Sequence, residues 1–175
     1  MTSYRIERAA PADAEALLAF LKTVGAETDN LTFGAEGLPL SVEVERNYLA
    51  SVQESSVSAF FLAKIGDEIV GDASFSGSSR ERLKHRGELG VSVRRDAWGM
   101  GIGKALIRQV LDFAEQTAGA EAVTLTVRSD NARAIALYRA FGFEKTGTFP
   151  GFLKVNGELI DFDFMYLSLS GRKMI

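Results

Sequence analysis

The chain has no cysteine and a single histidine among its 175 residues. The first absence excludes disulfides, thiolate metal sites and a cysteine nucleophile. The second argues against a histidine-built metal centre, since such centres draw on several His or Cys ligands, and no metal is expected. A long apolar run is missing too, and Met1 to Ala10 lacks the apolar core of a signal peptide, so no membrane partner is expected and the expected compartment is the cytoplasm. No charge dominates either. With 20 Lys and Arg against 23 Asp and Glu, the net charge is −3 and the pI about 5.3, which removes any sequence-wide electrostatic case for nucleic acid. A slightly acidic balance is compatible with a cationic substrate. What is present is ordinary for a soluble globular protein, 46% hydrophobic and 25% charged residues, and the length suits one domain spanning residues 1–175 with a sizeable core.

The most informative stretch runs from Val91 to Leu106. Valines at alternate positions, Val91 and Val93, read as a strand. They give way to Arg94-Arg95-Asp96-Ala97 and then to Trp98-Gly99-Met100-Gly101-Ile102-Gly103-Lys104. Ile102, Leu106, Val110, Phe113 and Ala114 follow at helical spacing. Strand, glycine loop and helix N-terminus together make a backbone anion site: the first helical amides lack internal partners and sit at the positive end of the dipole. Glycines let an anion approach without meeting a Cβ. Two familiar phosphate loops fail on spacing. A Walker A loop needs glycine where Trp98 stands and Ser or Thr where Ala105 stands, and a dinucleotide fingerprint needs its third glycine at Lys104 or Leu106.

Around this stretch the pattern predicts a strand at Tyr4–Arg8 and a helix from Pro11 to near Gly25. Residues 27–40 read as a long loop, followed by a helix capped by Ser41 and reaching Glu54. Strands are expected at 58–65 and 69–76 around Gly66-Asp67-Glu68, then a basic connector at 78–87 and a strand at 88–93. Gly119 ends the long helix, Val123–Val127 is a strand, and a shorter helix runs from Asn131 to Gly142. Strands at 143–155 and 159–169 flank Asn156-Gly157, a strong hairpin dipeptide. The order implies an α/β fold with a mixed, largely antiparallel sheet flanked by about four helices.

The second informative stretch is Asn131-Ala132-Arg133-Ala134-Ile135-Ala136-Leu137-Tyr138-Arg139-Ala140-Phe141-Gly142-Phe143. Together with the valine strand, the glycine loop and Val123–Val127, it resembles the GCN5-related N-acetyltransferase (GNAT) family, the strong motifs spanning Glu88 to Phe143. One departure is Trp98, where the family usually carries Arg or Gln. The resemblance implies a twisted sheet whose central strands splay at the site of a co-substrate, acetyl-CoA. Amides from Gly99 through Met100, Gly101, Ile102 and Gly103 to Lys104 would hold its pyrophosphate, with Trp98 beside them. The pantetheine arm would run along Val91 and Val93, where Gly90 fits a family bulge, and Asn131, Ala134 and Tyr138 would complete the cofactor site. Arg94 and Arg95 could add charge near the phosphates, or stay solvated.

By the same resemblance Tyr138 stands at the position of the general acid that protonates the departing thiolate, although Ala134, Tyr138 and Phe141 also have plain helix-core spacing. Asn131 would contact pantetheine or order water, and it also suits a helix cap. Glu88 is the candidate base, acting through water, or a surface glutamate at a strand start. His85 reads as an exposed residue of the basic connector. The acceptor, an amine-bearing small molecule or peptide, would meet Glu27–Leu31 and Phe149–Phe152, with Asp161 and Asp163 on the final strand either facing it or facing solvent. A homodimer through the last strands, a transferase of another acyl group and a regulatory acyl-CoA-binding module without turnover stay open.

Overall fold

Apolar alternation in the strands and apolar stripes in the helices determine which faces meet. In a computed structural model that describes residues 3–170, the elements are β1 (Arg5–Arg8), α1 (Ala14–Glu27, entered through a 3-10 turn at Pro11–Asp13), α2 (Val42–Glu54), β2 (Ser58–Ile65), β3 (Glu68–Ser76), β4 (Arg86–Val93), α3 (Ile102–Gln116), β5 (Ala122–Arg128), α4 (Ala132–Ala140), β6 (Glu144–Val155) and β7 (Glu158–Ser168). The expected order holds. The strands form one seven-stranded sheet, β1-β2-β3-β4-β5-β7-β6, with β4–β5 its only parallel pair among the described residues.

Successive residues of β2 face opposite layers. Phe61 and Ala63 join the main core with Leu106, Ile107, Val110 and Leu111 of α3, whereas Leu62 packs with Leu17, Leu21 and Val24 of α1 and Leu49 of α2. A fully buried leucine such as Leu106 stabilises the fold by roughly 1.5–3 kcal/mol relative to exposure. Local signals work as their chemistry suggests. Ser41 Oγ accepts from the Val44 N–H at 3.2 Å, and Asn156-Gly157 turns the last hairpin with φ of 49° and 87°, the left-handed pair that a tight hairpin requires.

The feature that positions the site is a parting of strands. β4 pairs with β5 only at Arg86–Ala122, Gly87–Val123 and Glu88–Thr124, while its other edge stays paired with β3 as far as Val93. Beyond Glu88 the β5-facing edge of β4 is therefore free. Gly90 does not form the expected bulge, because the β3–β4 register is continuous from Gly71–Val93 to Ser76–Glu88. It is a glycine of close approach instead: a Cβ there would stand 3.0 Å from Ser74 Oγ. β4 also begins at Arg86, taking the end of the expected connector into the sheet.

Candidate active site

The parting between β4 and β5 opens a cleft of about 440 Å³. Val91, Ser92 and Val93 form one wall, and Asn131, Arg133, Ala134, Leu137 and Tyr138 of the α4 region form another. Gly99, Gly101, Ile102, Gly103 and Lys104 close the end at α3, with Trp98 at its side, and Val24 and Glu27 at the end of α1, with Thr28, Asn30 and Leu31 of the α1–α2 connection, cover it.

The glycine loop does at the backbone level what its sequence predicts. Gly99 and Gly101 take φ of 82° and 81°, left-handed values that cost other residues roughly 1–2 kcal/mol. Ala105 N–H is the first helical donor to fold back, reaching Gly101 O at 3.0 Å. The successive N–H groups from Gly99 to Lys104 donate to no acceptor among the described residues. They meet the positive end of the α3 dipole, so the site suits a phosphate-like anion. Trp98 is 42% exposed and closes the side of this loop. Its Nε1–H donates to Val93 O at 2.7 Å, and the Arg133 guanidinium lies 4.2 Å from the ring centroid, a cation–π contact. Arg95 stands 5.8 Å away on the same ring.

Asn131 caps α4, its Oδ1 accepting from Ala134 N–H at 3.2 Å, so the cap and a place in the cleft wall coincide. Tyr138 is only 7% exposed and meets Phe143 edge-on at 5.9 Å. Burial pushes its phenol up to about 12, so it stays protonated at neutral pH. Its hydroxyl has no partner among the described residues, and the residue lines the cleft. A neutral phenol facing a cleft can donate a proton.

One expected site residue, Glu88, is not brought there, and another, Met100, brings its backbone amide but not its side chain. Glu88 is exposed on β4 beside Ser76 and Thr124, outside the cleft lining, because it lies in the stretch where β4 and β5 are still paired. Met100 turns out of the lining and packs against the main core. Asp161 is exposed and accepts from Gly151 N–H at 2.8 Å. Asp163 corrects the solvent-facing alternative: it is 5% exposed, bonded by Ser129 Oγ at 2.7 Å and Thr148 Oγ1 at 2.8 Å, and paired with Lys145 at 2.9 Å. Burial opposes its charge, yet these bonds hold its carboxyl below the usual range. Arg94 is not in the cleft either; it is ion-paired with Glu68 and Asp96.

Composition and spacing gave no warning of a polar group behind the β4 wall. Ser92 donates its hydroxyl to Asp72 on β3, and burial pushes the Asp72 carboxyl up to about 6, against the effect of that hydrogen bond. The charge of Glu45 on α2 acts in the same direction on Asp72. Glu45 is 3% exposed, and burial raises its own carboxyl. Its place was readable in outline, for position 45 shares a helical stripe with the buried Leu49 and Val52.

A family model described as the acetyltransferase (GNAT) family matches residues 27–143. The chain belongs to this family. Among the relatives of this GNAT chain, an L-amino acid N-acetyltransferase of Escherichia coli (strain K12) is 31% identical over 104 residues, 59% of this chain and 64% of that protein. The N-alpha-acetyltransferase RimI of Mycobacterium tuberculosis is 36% identical over 95 residues, 54% and 58% of the two chains. Both matches thus span less than two thirds of the relative. A GNAT acetyltransferase from Streptococcus pneumoniae superposes with a TM-score of 0.91 at 27% identity, covering 95% of this chain and all (100%) of its own. Its match extends to the sheet and both helix layers.

Proposed function

We propose that this chain moves an acetyl group from acetyl-CoA to the nitrogen of a primary amine. The observation that carries the reading is the run of unpartnered N–H groups from Gly99 to Lys104, opening beside the free edge of β4, in a chain of an acetyltransferase family. Those amides, with the Lys104 ammonium, suit a pyrophosphate. The free edge of β4 at Val91 to Val93 suits an extended, amide-bearing arm, which can add to a strand edge through main-chain hydrogen bonds. When bound, acetyl-CoA supplies a thioester carbonyl open to attack by nitrogen.

The chain's own groups then have simple tasks. A main-chain N–H at Val91 to Val93 polarises the carbonyl oxygen as negative charge develops on it. Asn131 and Ala134 border the arm and hold the α4 wall in place. As nitrogen bonds to the acyl carbon and the carbon–sulfur bond breaks, Tyr138 gives its hydroxyl proton to sulfur and regains one from water. The acceptor nitrogen gives up its own proton to water in the same turnover, which balances the proton that Tyr138 regains. Glu88, exposed and outside the lining, is given no step.

Thiol release from acetyl-CoA across amines, amino acids and short peptides tests this reading, together with calorimetric titration of CoA. Saturable thiol release in step with acetylated product is expected. CoA that fails to bind, or that binds without transfer to any acceptor, would overturn it.

A further inference from the structure

Trp98 and Arg133 belong to different elements, the loop before α3 and the first turn of α4, and they meet at the cleft that both line. The Trp98 Nε1–H is fixed on Val93 O at 2.7 Å, and the same ring carries the Arg133 guanidinium 4.2 Å from its centroid. The indole therefore links the β4 wall of the cleft to the α4 wall. Arg95 lies 5.8 Å from that ring, but it stands outside the lining and its guanidinium is held by the Glu27 carbonyl.

The charges around the cleft follow an unusual order. Arg133 and Lys104 both stand in the first turn of a helix, where a cation meets the positive end of the dipole. Neither α3 nor α4 has an acidic residue in that turn, whereas α1 has Glu15 and α2 has Glu43 and Glu45. Among the described residues no ion pair engages Arg133 or Lys104. Glu27, the one carboxylate in the lining, accepts from the Arg95 backbone N–H at 2.7 Å. Asp130 and Asp96, the acids that precede α4 and α3, hold Arg128 and Arg94, each at 2.6 Å. Two cations and two helix N-termini thus face one cleft, and an anion there relieves both.

Resting on the transfer reading above, we infer that Arg133 is a phosphate ligand of the donor, acting from the α4 wall, and that Trp98 is its positioning residue. Lys104 brings a point charge, whereas a guanidinium brings a planar fork that can give two parallel hydrogen bonds to phosphate oxygens. Seating that fork on a ring orients it before the donor arrives. Acetyl-CoA carries a diphosphate and a 3′-phosphate, and either presents the oxyanions that this fork suits.

Calorimetric titration of CoA and dephospho-CoA into the wild-type, Arg133→Gln, Trp98→Leu and doubly substituted chains tests the inference. Arg133→Gln should raise the Kd for CoA about tenfold or more, the scale of a lost charge-assisted hydrogen bond. Trp98→Leu should raise it about two- to fivefold, as for an exposed cation–π contact. Because Trp98 acts through Arg133, it should add less than about twofold in the Arg133→Gln chain. A loss kept with dephospho-CoA assigns the fork to the diphosphate, and a loss seen only with CoA assigns it to the 3′-phosphate. With S-acetylpantetheine, which has no phosphate, kcat/KM should stay within about twofold in Arg133→Gln. An unchanged Kd for CoA in Arg133→Gln, an equal loss with S-acetylpantetheine, or a full Trp98→Leu effect in the double variant would overturn the inference. If CoA does not bind the wild-type chain, the transfer reading fails by itself. Emission of Trp98, the only tryptophan, titrated with inorganic diphosphate then decides the clasp: a saturable change that Arg133→Gln abolishes supports it, and no such change overturns it.

Discussion

Replacing Tyr138 with phenylalanine removes one oxygen and leaves the ring. The edge-on contact with Phe143 at 5.9 Å survives, and no described residue loses a hydrogen-bond partner, so stability should move by less than about 1 kcal/mol. Activity should respond on a different scale. Burial lifts the phenol from 10.0 to about 12, which amounts to roughly 3 kcal/mol against the phenolate. At pH 8 only about one molecule in ten thousand is ionised, so a proton is available for sulfur in nearly every turnover. Loss of a positioned general acid lowers the rate by roughly 100- to 10,000-fold. The Tyr138→Phe chain should therefore lose kcat by that factor while its KM for acetyl-CoA changes by about threefold at most. The alkaline limb gives a second check. Above pH 10 the unfolded chain releases the phenolic proton and the folded chain keeps it, so wild-type stability falls between about pH 10 and about 12. That part of the decline should vanish in the variant. Thiol release at saturating acetyl-CoA and acceptor, run beside thermal melts, measures both. A variant that melts with the wild type and turns over within about threefold of it would refute the role of the hydroxyl.

Gly101→Ala forces an alanine to φ of 81° and should cost about 1–2 kcal/mol, visible as a lower urea midpoint; an unchanged midpoint would mean that the loop relaxes. Asn131→Ala removes the acceptor for Ala134 N–H and should cost about 1 kcal/mol in the same measurement. Asp72→Asn should act with the opposite sign. Because burial raises Asp72 from 3.8 to about 6, the folded chain holds a proton that the unfolded chain has released in that window, and wild-type stability declines as pH rises through it. The decline is at most about 3 kcal/mol. The asparagine chain should lack it and be the more stable protein at pH 8, as urea titrations at pH 4 and pH 8 would record.

Much of the fold was legible because its signals are local. Ser41, Asn131 and Asn156-Gly157 each act on backbone within a few residues, and the α3 stripe Ile102, Leu106, Val110 and Phe113 follows from helical periodicity. The phosphate-type loop was legible for the same reason. What escaped depends on contacts between elements far apart in the chain. Asp163 and Phe164 alternate on β7, and nothing local says that Asp163 is the enclosed one; Ser129 and Thr148, brought in by other elements, decide it. Asp72 looked like any polar residue in a strand until the β3–β4 register set it against Ser92. Glu88 was judged as part of the valine strand. The place where β4 and β5 separate, which leaves it outside the cleft, is set by sheet pairing across more than thirty residues of chain, Glu88 against Thr124.

The alternation of β4 bears on how such a chain can change. Val91 and Val93 pack with the α3 layer and Ser92 bonds to Asp72 on the other side of the strand, yet all three also line the one cleft. Substitution at 92, or at its cross-strand partner 72, changes the polar side of that wall without touching the β4 edge that parts from β5.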